Sequence, residues 1–261
     1  MKWKPLLWIY NFYAVVLFVA LMLPVFLFAL PVSFFGHVRG GNLIYKACRL
    51  WADVWFTFIF IRQKNIYEVP LNKDKSYIFV ANHISYLDSA IMVKTFRQPL
   101  RALGKVEMAK VPVFGFIYRK TIVTVDRNSP ERRAKSVEIL KSILRRRISV
   151  LVFPEGTFNT THQPIKQFYD GAFRIAIETG TAIKPVLFLD AYNRMPYESL
   201  FSINPGINRC VFLEEVSIEG LSTNDVGVLR DKVYGIMEAK LLEYGASWIR
   251  DPVKQKKIEI S

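Results

Sequence analysis

Residues 6–35 form a run of thirty without one charged side chain. As a single helix such a run would extend roughly 45 Å, against about 30 Å for the hydrocarbon core of a bilayer. Pro24 and Pro31 are expected to interrupt it. A secretory signal would have a shorter apolar core followed by a small-residue cleavage site, and residues 31–39 offer no convincing one. The expectation is therefore a retained membrane segment. Lys2 and Lys4 precede it and Arg39, Lys46 and Arg49 follow it, so the positive-inside rule selects no orientation for a single span. A hairpin that dips into one leaflet and returns reconciles the two flanks.

The following stretch, residues 42–62, carries its polar side chains at Asn42, Lys46, Arg49, Asp53 and Thr57, spaced four, three, four and four apart. That is one narrow polar stripe on a helix otherwise covered by apolar residues. A core helix is the ordinary alternative. Directly after a membrane segment, and with Trp51, Trp55 and Phe56 nearby, the pattern is read as burial at a membrane interface. Composition agrees, since a formal charge of +14 accompanies 51% hydrophobic residues. A nucleic-acid-binding protein is often this basic but seldom this apolar, and no nucleic-acid motif is present, so no nucleic-acid partner is expected. Basic and apolar together suit an anionic membrane surface. Cys48 and Cys210 have no metal or redox spacing, and a reducing cytoplasm is the default.

From residue 65 the pattern changes. Short runs rich in β-formers at 77–81, 121–125, 149–153, 182–189 and 210–218 alternate with helical segments at 130–147, 170–178 and 224–243. This predicts an α/β domain with a mixed sheet covered by helices, over residues 65–261, preceded by a membrane-embedded helix pair in residues 1–64.

Within that domain residues 76–88, SYIFVANHISYLD, stand out. The apolar run stops at Asn82-His83, and a new apolar-periodic segment begins near Asp88. His83 is thereby placed at a strand end and Asp88 in the first turn of a helix, where imidazole and carboxylate can share a hydrogen bond. Such a pair makes a general base of the far ring nitrogen. The alternative is a capping box, because Ser85-Tyr86-Leu87-Asp88 fits [ST]-x-x-[DE]. Three further places end or follow strands. Arg127 follows the run 121–125 and has the geometry for a phosphate or for a plain surface pair with Asp126. Pro154-Glu155-Gly156-Thr157 closes the run 149–153, as a site edge or as a tight turn. Lys105 follows a short strand and is a second candidate cation.

Taken together these blocks resemble the glycerolipid acyltransferase family, most closely its bacterial 1-acyl-glycerol-3-phosphate acyltransferases. His83 with Asp88 matches the His-x4-Asp motif, and Gly115 through Asp126-Arg127 resembles the second block. Phe153-Pro154-Glu155-Gly156-Thr157 matches the third, and Ile183-Lys184-Pro185-Val186 resembles the fourth. The resemblance covers roughly residues 65–190. It implies direct transfer of an acyl chain from acyl-CoA or acyl carrier protein to a lysolipid hydroxyl, with His83 as base and Asp88 as its partner. Asn82, Lys105, Arg127, Glu155, Gly156 and Thr157 would shape the substrate site. It implies no cofactor and no metal, and a catalytic domain on the cytoplasmic face of the inner membrane, in contact with membrane lipid. One block departs: many members carry Phe-Lys-x-Gly-Ala, whereas this chain has Phe168-Tyr169-Asp170-Gly171-Ala172, with Lys166 just upstream. A lyso-aminolipid acceptor is the rival that this departure raises. A metallohydrolase using His83, Asp88 and Glu155 is a rival of another class, with a ligand set poor for zinc.

Overall fold

The computed structural model describes residues 4–72, 74–125 and 130–249. Arg127, expected to bind phosphate, and the basic tail at Lys254, Lys256 and Lys257 lie outside the described residues.

Seven strands form one sheet in the order β1-β7-β6-β2-β5-β3-β4. They are β1 (Ile61–Tyr67), β2 (Ile78–Ala81), β3 (Leu100–Lys105), β4 (Ile122–Val125), β5 (Ser149–Val152), β6 (Ile183–Phe188) and β7 (Gly206–Phe212). The strands β6, β2, β5, β3 and β4 run parallel, β7 is antiparallel to β6, and β1 is parallel to β7. The sheet is thus mixed, as expected for the chain, with the alternation of strands and helices accounting for its parallel part and the β6–β7 pair supplying the antiparallel one. Strands β2, β5 and β6 are buried along their whole length, which is why they read as unbroken apolar runs rather than alternating ones. Helices α3 (Asp88–Thr95), α4 (Phe114–Thr121), α5 (Pro130–Arg145), α6 (Gly171–Thr179), the short α7 (Ala191–Arg194) and α8 (Val226–Glu243) connect and follow the strands.

Two helices precede the sheet, α1 (Lys4–Val32) and α2 (Gly41–Phe58). Helix α1 passes through Pro24 and contains Pro31 in its last turn, so the expected interruption does not occur. A proline removes one hydrogen bond, and in a segment this apolar the remaining main-chain groups are best satisfied inside the helix. The turn between the helices spans Ser33–Phe35 and the π-helical Gly36–Gly40. Gly36 has φ of 77°, and a side chain on Gly41 would collide with the Arg101 guanidinium. Arg101, buried at the start of β3, donates to the carbonyls of His37 (3.1 Å), Val38 (3.4 Å) and Leu100 (2.8 Å), which pins this turn to the sheet.

Helix α1 lies along α2 for most of its length. Trp55 Nε1 donates to Ala14 O at 2.9 Å, Phe18 packs edge-on against Trp51 and Trp55, and Tyr10 Oη donates to Ile59 O at 2.6 Å. The structure corrects the reading of residues 42–62 as an interfacial helix. Ile44, Tyr45, Cys48, Trp51, Ala52, Trp55 and Phe56 are all buried in the protein. Part of the polar stripe is also occupied: Asp53 is held by Lys94 (2.6 Å) and Arg97 (2.7 Å). The helix stops at Phe58 and β1 takes over, because all seven residues of β1 have partners in β7. The apolar surface left outward belongs chiefly to α1, where Trp8, Ile9, Phe12 and Leu27 are each more than 60% exposed. The helical region Pro5–Phe58 is long and apolar enough to cross a membrane, and it marks the chain for membrane association.

Candidate active site

The parallel strands β2, β5, β3 and β4 end on one edge of the sheet, the edge where open α/β sheets bind their ligands. His83 leaves β2 there, Phe153 to Thr157 leave β5, and Lys105 ends β3. Asn82 fixes the exit from β2. It is buried, its Nδ2 donates to Phe188 O at 3.1 Å, and its Oδ1 accepts from Phe188 N at 2.8 Å. One amide thus continues the β2–β6 ladder one residue past the last strand pair.

His83 Nδ1 lies 2.8 Å from Asp88 Oδ2. The same oxygen accepts from Ile84 N at 2.8 Å and Ser85 N at 2.9 Å. The two readings of Asp88 therefore coexist, since the carboxylate closes the turn into α3 and engages the imidazole with one atom. The box itself is incomplete as drawn from sequence, because Ser85 Oγ accepts from Leu87 N at 3.0 Å and donates to Met195 O at 2.5 Å. Asp88 is fully buried, where a carboxylate is tolerated only with strong donors around it. The imidazole plane stacks on Phe153 (centroids 4.3 Å apart) and meets the edge of Phe158 (4.4 Å), with 23% of its side chain exposed.

The main chain at His83 is held as firmly as the ring. His83 N donates to Glu155 Oε1 at 2.8 Å, and His83 O accepts from Asn159 N at 2.8 Å. Glu155 Oε2 accepts from Lys166 N at 3.0 Å. Both carboxylate oxygens therefore take up main-chain donors, and Glu155 braces the loop after β2 against both ends of its own loop after β5. Burial pushes its carboxyl up to about 7, opposed by the two main-chain N–H groups, and the Asp88 charge adds to the rise. Gly156 adopts φ of 73°, which the turn beneath Glu155 requires, and its N–H closes on Phe153 O at 3.0 Å. Thr157 is exposed, and its Oγ1 accepts from Lys166 Nζ at 2.8 Å.

The structure thus brings Asn82, His83, Asp88, Glu155, Gly156 and Thr157 into one cluster, joined by Lys166. Lys105 is exposed at the end of β3, two strand positions from β2 and so about 10 Å away across the sheet. Sequence reasoning missed the aromatic walls and the tie from Ser85 to Met195. Phe153 and Phe158 bracket the Pro-Glu-Gly-Thr turn, and two large aromatics flanking a polar turn were the available signal.

The Acyltransferase family model matches residues 59–189, half of the chain, and the match spans every one of these site residues. The chain belongs to the glycerolipid acyltransferase family. It is 29% identical over 171 residues to a 1-acyl-sn-glycerol-3-phosphate acyltransferase of Salmonella typhimurium, covering 64% of this chain and 67% of that protein. An uncharacterised acyltransferase of Schizosaccharomyces pombe is 27% identical over 205 residues, covering 76% and 72%. The fold matches the crystal structure of the 1-acyl-sn-glycerophosphate (LPA) acyltransferase PlsC from Thermotoga maritima. The TM-score is 0.70 over 95% of this chain and 98% of that one, at 21% identity.

The raised Glu155 carboxyl has a measurable consequence for this acyltransferase. Between the ordinary value of 4.5 and about 7 the folded chain keeps a proton that the unfolded chain has released. The stability this contributes is complete below 4.5 and is lost as pH rises through 7, on the order of 3 kcal/mol in all. Glu155→Gln should lack that decline, so chemical unfolding in detergent should show the wild type losing ground to the variant over this window. Parallel profiles would mean that Glu155 ionises in the fold at its ordinary pH.

Proposed function

We propose that the chain transfers an acyl group from acyl-CoA or acyl carrier protein to the free hydroxyl of a lysolipid, with 1-acyl-sn-glycerol 3-phosphate as acceptor and phosphatidic acid as product. The observation that carries the chemistry is the 2.8 Å contact between His83 Nδ1 and a buried Asp88 oxygen. It fixes the tautomer with the proton on Nδ1 and leaves Nε2 as the base. The acceptor hydroxyl oxygen attacks the thioester carbonyl carbon while Nε2 takes its proton. The C–S bond then breaks, and the departing thiolate recovers the proton from the imidazolium. General-base assistance by His83 is worth on the order of 10²–10⁴ in rate, and Asp88 stabilises the imidazolium that forms. Glu155, with Gly156, is a positioning residue that holds the His83 main chain and the loop carrying Lys166. Lys166 and Thr157 lie beyond the carboxyl end of β5 and Lys105 ends β3, and Arg127 comes two residues after β4 in the sequence. These cations suit an acceptor phosphate.

The N-terminal helices, α1 outermost and α2 packed behind it, act as the membrane anchor of a catalytic domain whose sheet begins at β1. Helix α1 is held to the rest of the protein near both ends, by Tyr10 to Ile59 and by Phe26 against Phe116 of α4. This favours a hairpin lying in the cytoplasmic leaflet of the inner membrane, with the catalytic domain on that face where the thioester donor is made. A second reading of the acceptor rests on Asp170. It pairs with Arg230 at 2.7 Å beside Tyr169, which stands where the resemblance leads one to expect lysine, and a lyso-aminolipid would tolerate an acid there better.

His83→Ala should abolish transfer with the fold intact, and retention of a tenth of wild-type turnover would remove the base from the mechanism. Asp88→Asn should be nearly as severe, whereas a near-normal rate with a lowered melting temperature would reduce Asp88 to its turn-closing role.

Arg127→Ala should raise KM for lysophosphatidic acid and leave KM for monoacylglycerol unchanged; equal losses would make Arg127 structural. Purified wild type that ignored lysophosphatidic acid and acylated a lyso-aminolipid would establish the second acceptor reading.

Topology is tested with Lys2→Cys and Arg39→Cys in intact cells, the native Cys48 and Cys210 being buried. An impermeant thiol reagent should reach neither position, and labelling at 2 but not at 39 would establish a span.

A further inference from the structure

Asn11 is a buried polar side chain in the middle of an exposed apolar helix. Its Oδ1 accepts from Ile203 N at 2.6 Å and its Nδ2 donates to Ile203 O at 3.3 Å and to Leu7 O at 2.9 Å. One amide therefore grips both main-chain groups of a residue 192 positions away. The gripped segment is the loop of residues 195–205, which joins α7 to β7. On its outer side Leu200 and Phe201 are 53% and 50% exposed, and Phe201 stacks on Trp8, itself 68% exposed, with ring centroids 6.1 Å apart. Three large apolar side chains from two distant segments thus form one outward patch, continuous with the exposed face of α1. The one acid of the loop, Glu198, accepts from Tyr192 Oη at 2.9 Å.

The inner side of the same loop touches the active site. Met195 O accepts from Ser85 Oγ in the turn that carries His83 and Asp88. Tyr197 stacks on Phe158 at 6.5 Å, and Phe158 packs against His83 and Tyr86. The loop is therefore a short connection, held at both sides, between the apolar face of α1 and His83.

We infer that the loop of residues 195–205 is a second lipid-contacting element: Leu200 and Phe201 enter the bilayer interface beside Trp8, and the loop sets the height of His83 above it. The occupant is the lipid surface, because the patch continues the face of α1 that the membrane covers and its aromatic pair sits near the start of that helix. Tryptophan and other aromatic rings prefer that level of a bilayer. Burying two such side chains adds to an anchor that already holds the chain, so the gain lies in orientation. This inference rests on the membrane reading of α1.

Single cysteines labelled with an environment-sensitive fluorophore test it on the full chain in vesicles of phosphatidylcholine and phosphatidylglycerol. The positions are Phe201→Cys, Phe12→Cys on α1, and Val228→Cys on α8, a site 65% exposed and remote from the patch. Nitroxide carried on the lipid should quench the probes at 201 and 12, and aqueous iodide should quench only the probe at 228. A probe at 201 that behaves like 228 while 12 is quenched from the lipid overturns the inference alone. Failure at 12 as well overturns the membrane reading beneath it. The double variant Leu200→Ser, Phe201→Ser should raise KM for a vesicle-borne lysolipid by roughly tenfold, with KM for the soluble thioester donor unchanged. An unchanged lysolipid KM would overturn the link from loop to His83.

Discussion

One oxygen of one buried carboxylate carries the arrangement around the site. Asp88 Oδ2 meets the His83 ring nitrogen and two main-chain N–H groups of the turn between them. Those three contacts set the orientation of the His83 ring, the path of the chain out of β2 and the start of α3 together. Each N–H that points at Oδ2 also offsets the cost of keeping a negative charge away from water. The ring is then held between Phe153 and Phe158, and its main chain between Glu155 and Asn159. A side chain restrained in this way is pre-organised for the role proposed for it.

The central strands supply the rigidity that such a site needs. β2 lies between β5 and β6 and is buried throughout, so the two loops that hold His83 leave neighbouring strands in a fixed register. Asn82 extends that register past the end of the ladder by bonding both main-chain groups of Phe188. Asn11 uses the same amide geometry on Ile203 at the other side of the molecule. In both places a side-chain amide stands in for a strand neighbour, and in both it joins segments over a hundred residues apart.

The N-terminal helices are joined to this site's sheet through ordinary packing, and the anchoring role proposed for them depends on it. α2 has its apolar face inside the protein and presents it to α1 and to α3, whereas α1 keeps a broad apolar face outward. Arg101 ties the turn between them to β3, and the Trp55 indole ties the last turn of α2 to Ala14 of α1. An anchor attached at several points transmits orientation as well as proximity, which a flexible tether would not do.

Much of this was legible in the chain itself. The central strands are apolar runs bounded by polar turns, so local pattern suffices for them and for the α/β class, whereas β1 escaped it and β7 begins four residues before the run at 210–218. The His-x4-Asp and Pro-Glu-Gly-Thr blocks stand at two strand ends, and it is the family resemblance that joins His83, Asp88 and Glu155. Residues 42–62 misled because a narrow polar stripe has the same spacing whether the wide apolar face meets lipid or protein. Only the seven-residue pairing of β1 with β7 and the burial of Trp51 and Trp55 decide between them. The partner of Asn11, the grip of Ser85 on Met195 and the enclosure of Glu155 were likewise invisible. Each depends on a residue brought near by the fold, and hydrogen bonding and desolvation act over a few ångströms of space, whatever the distance along the sequence.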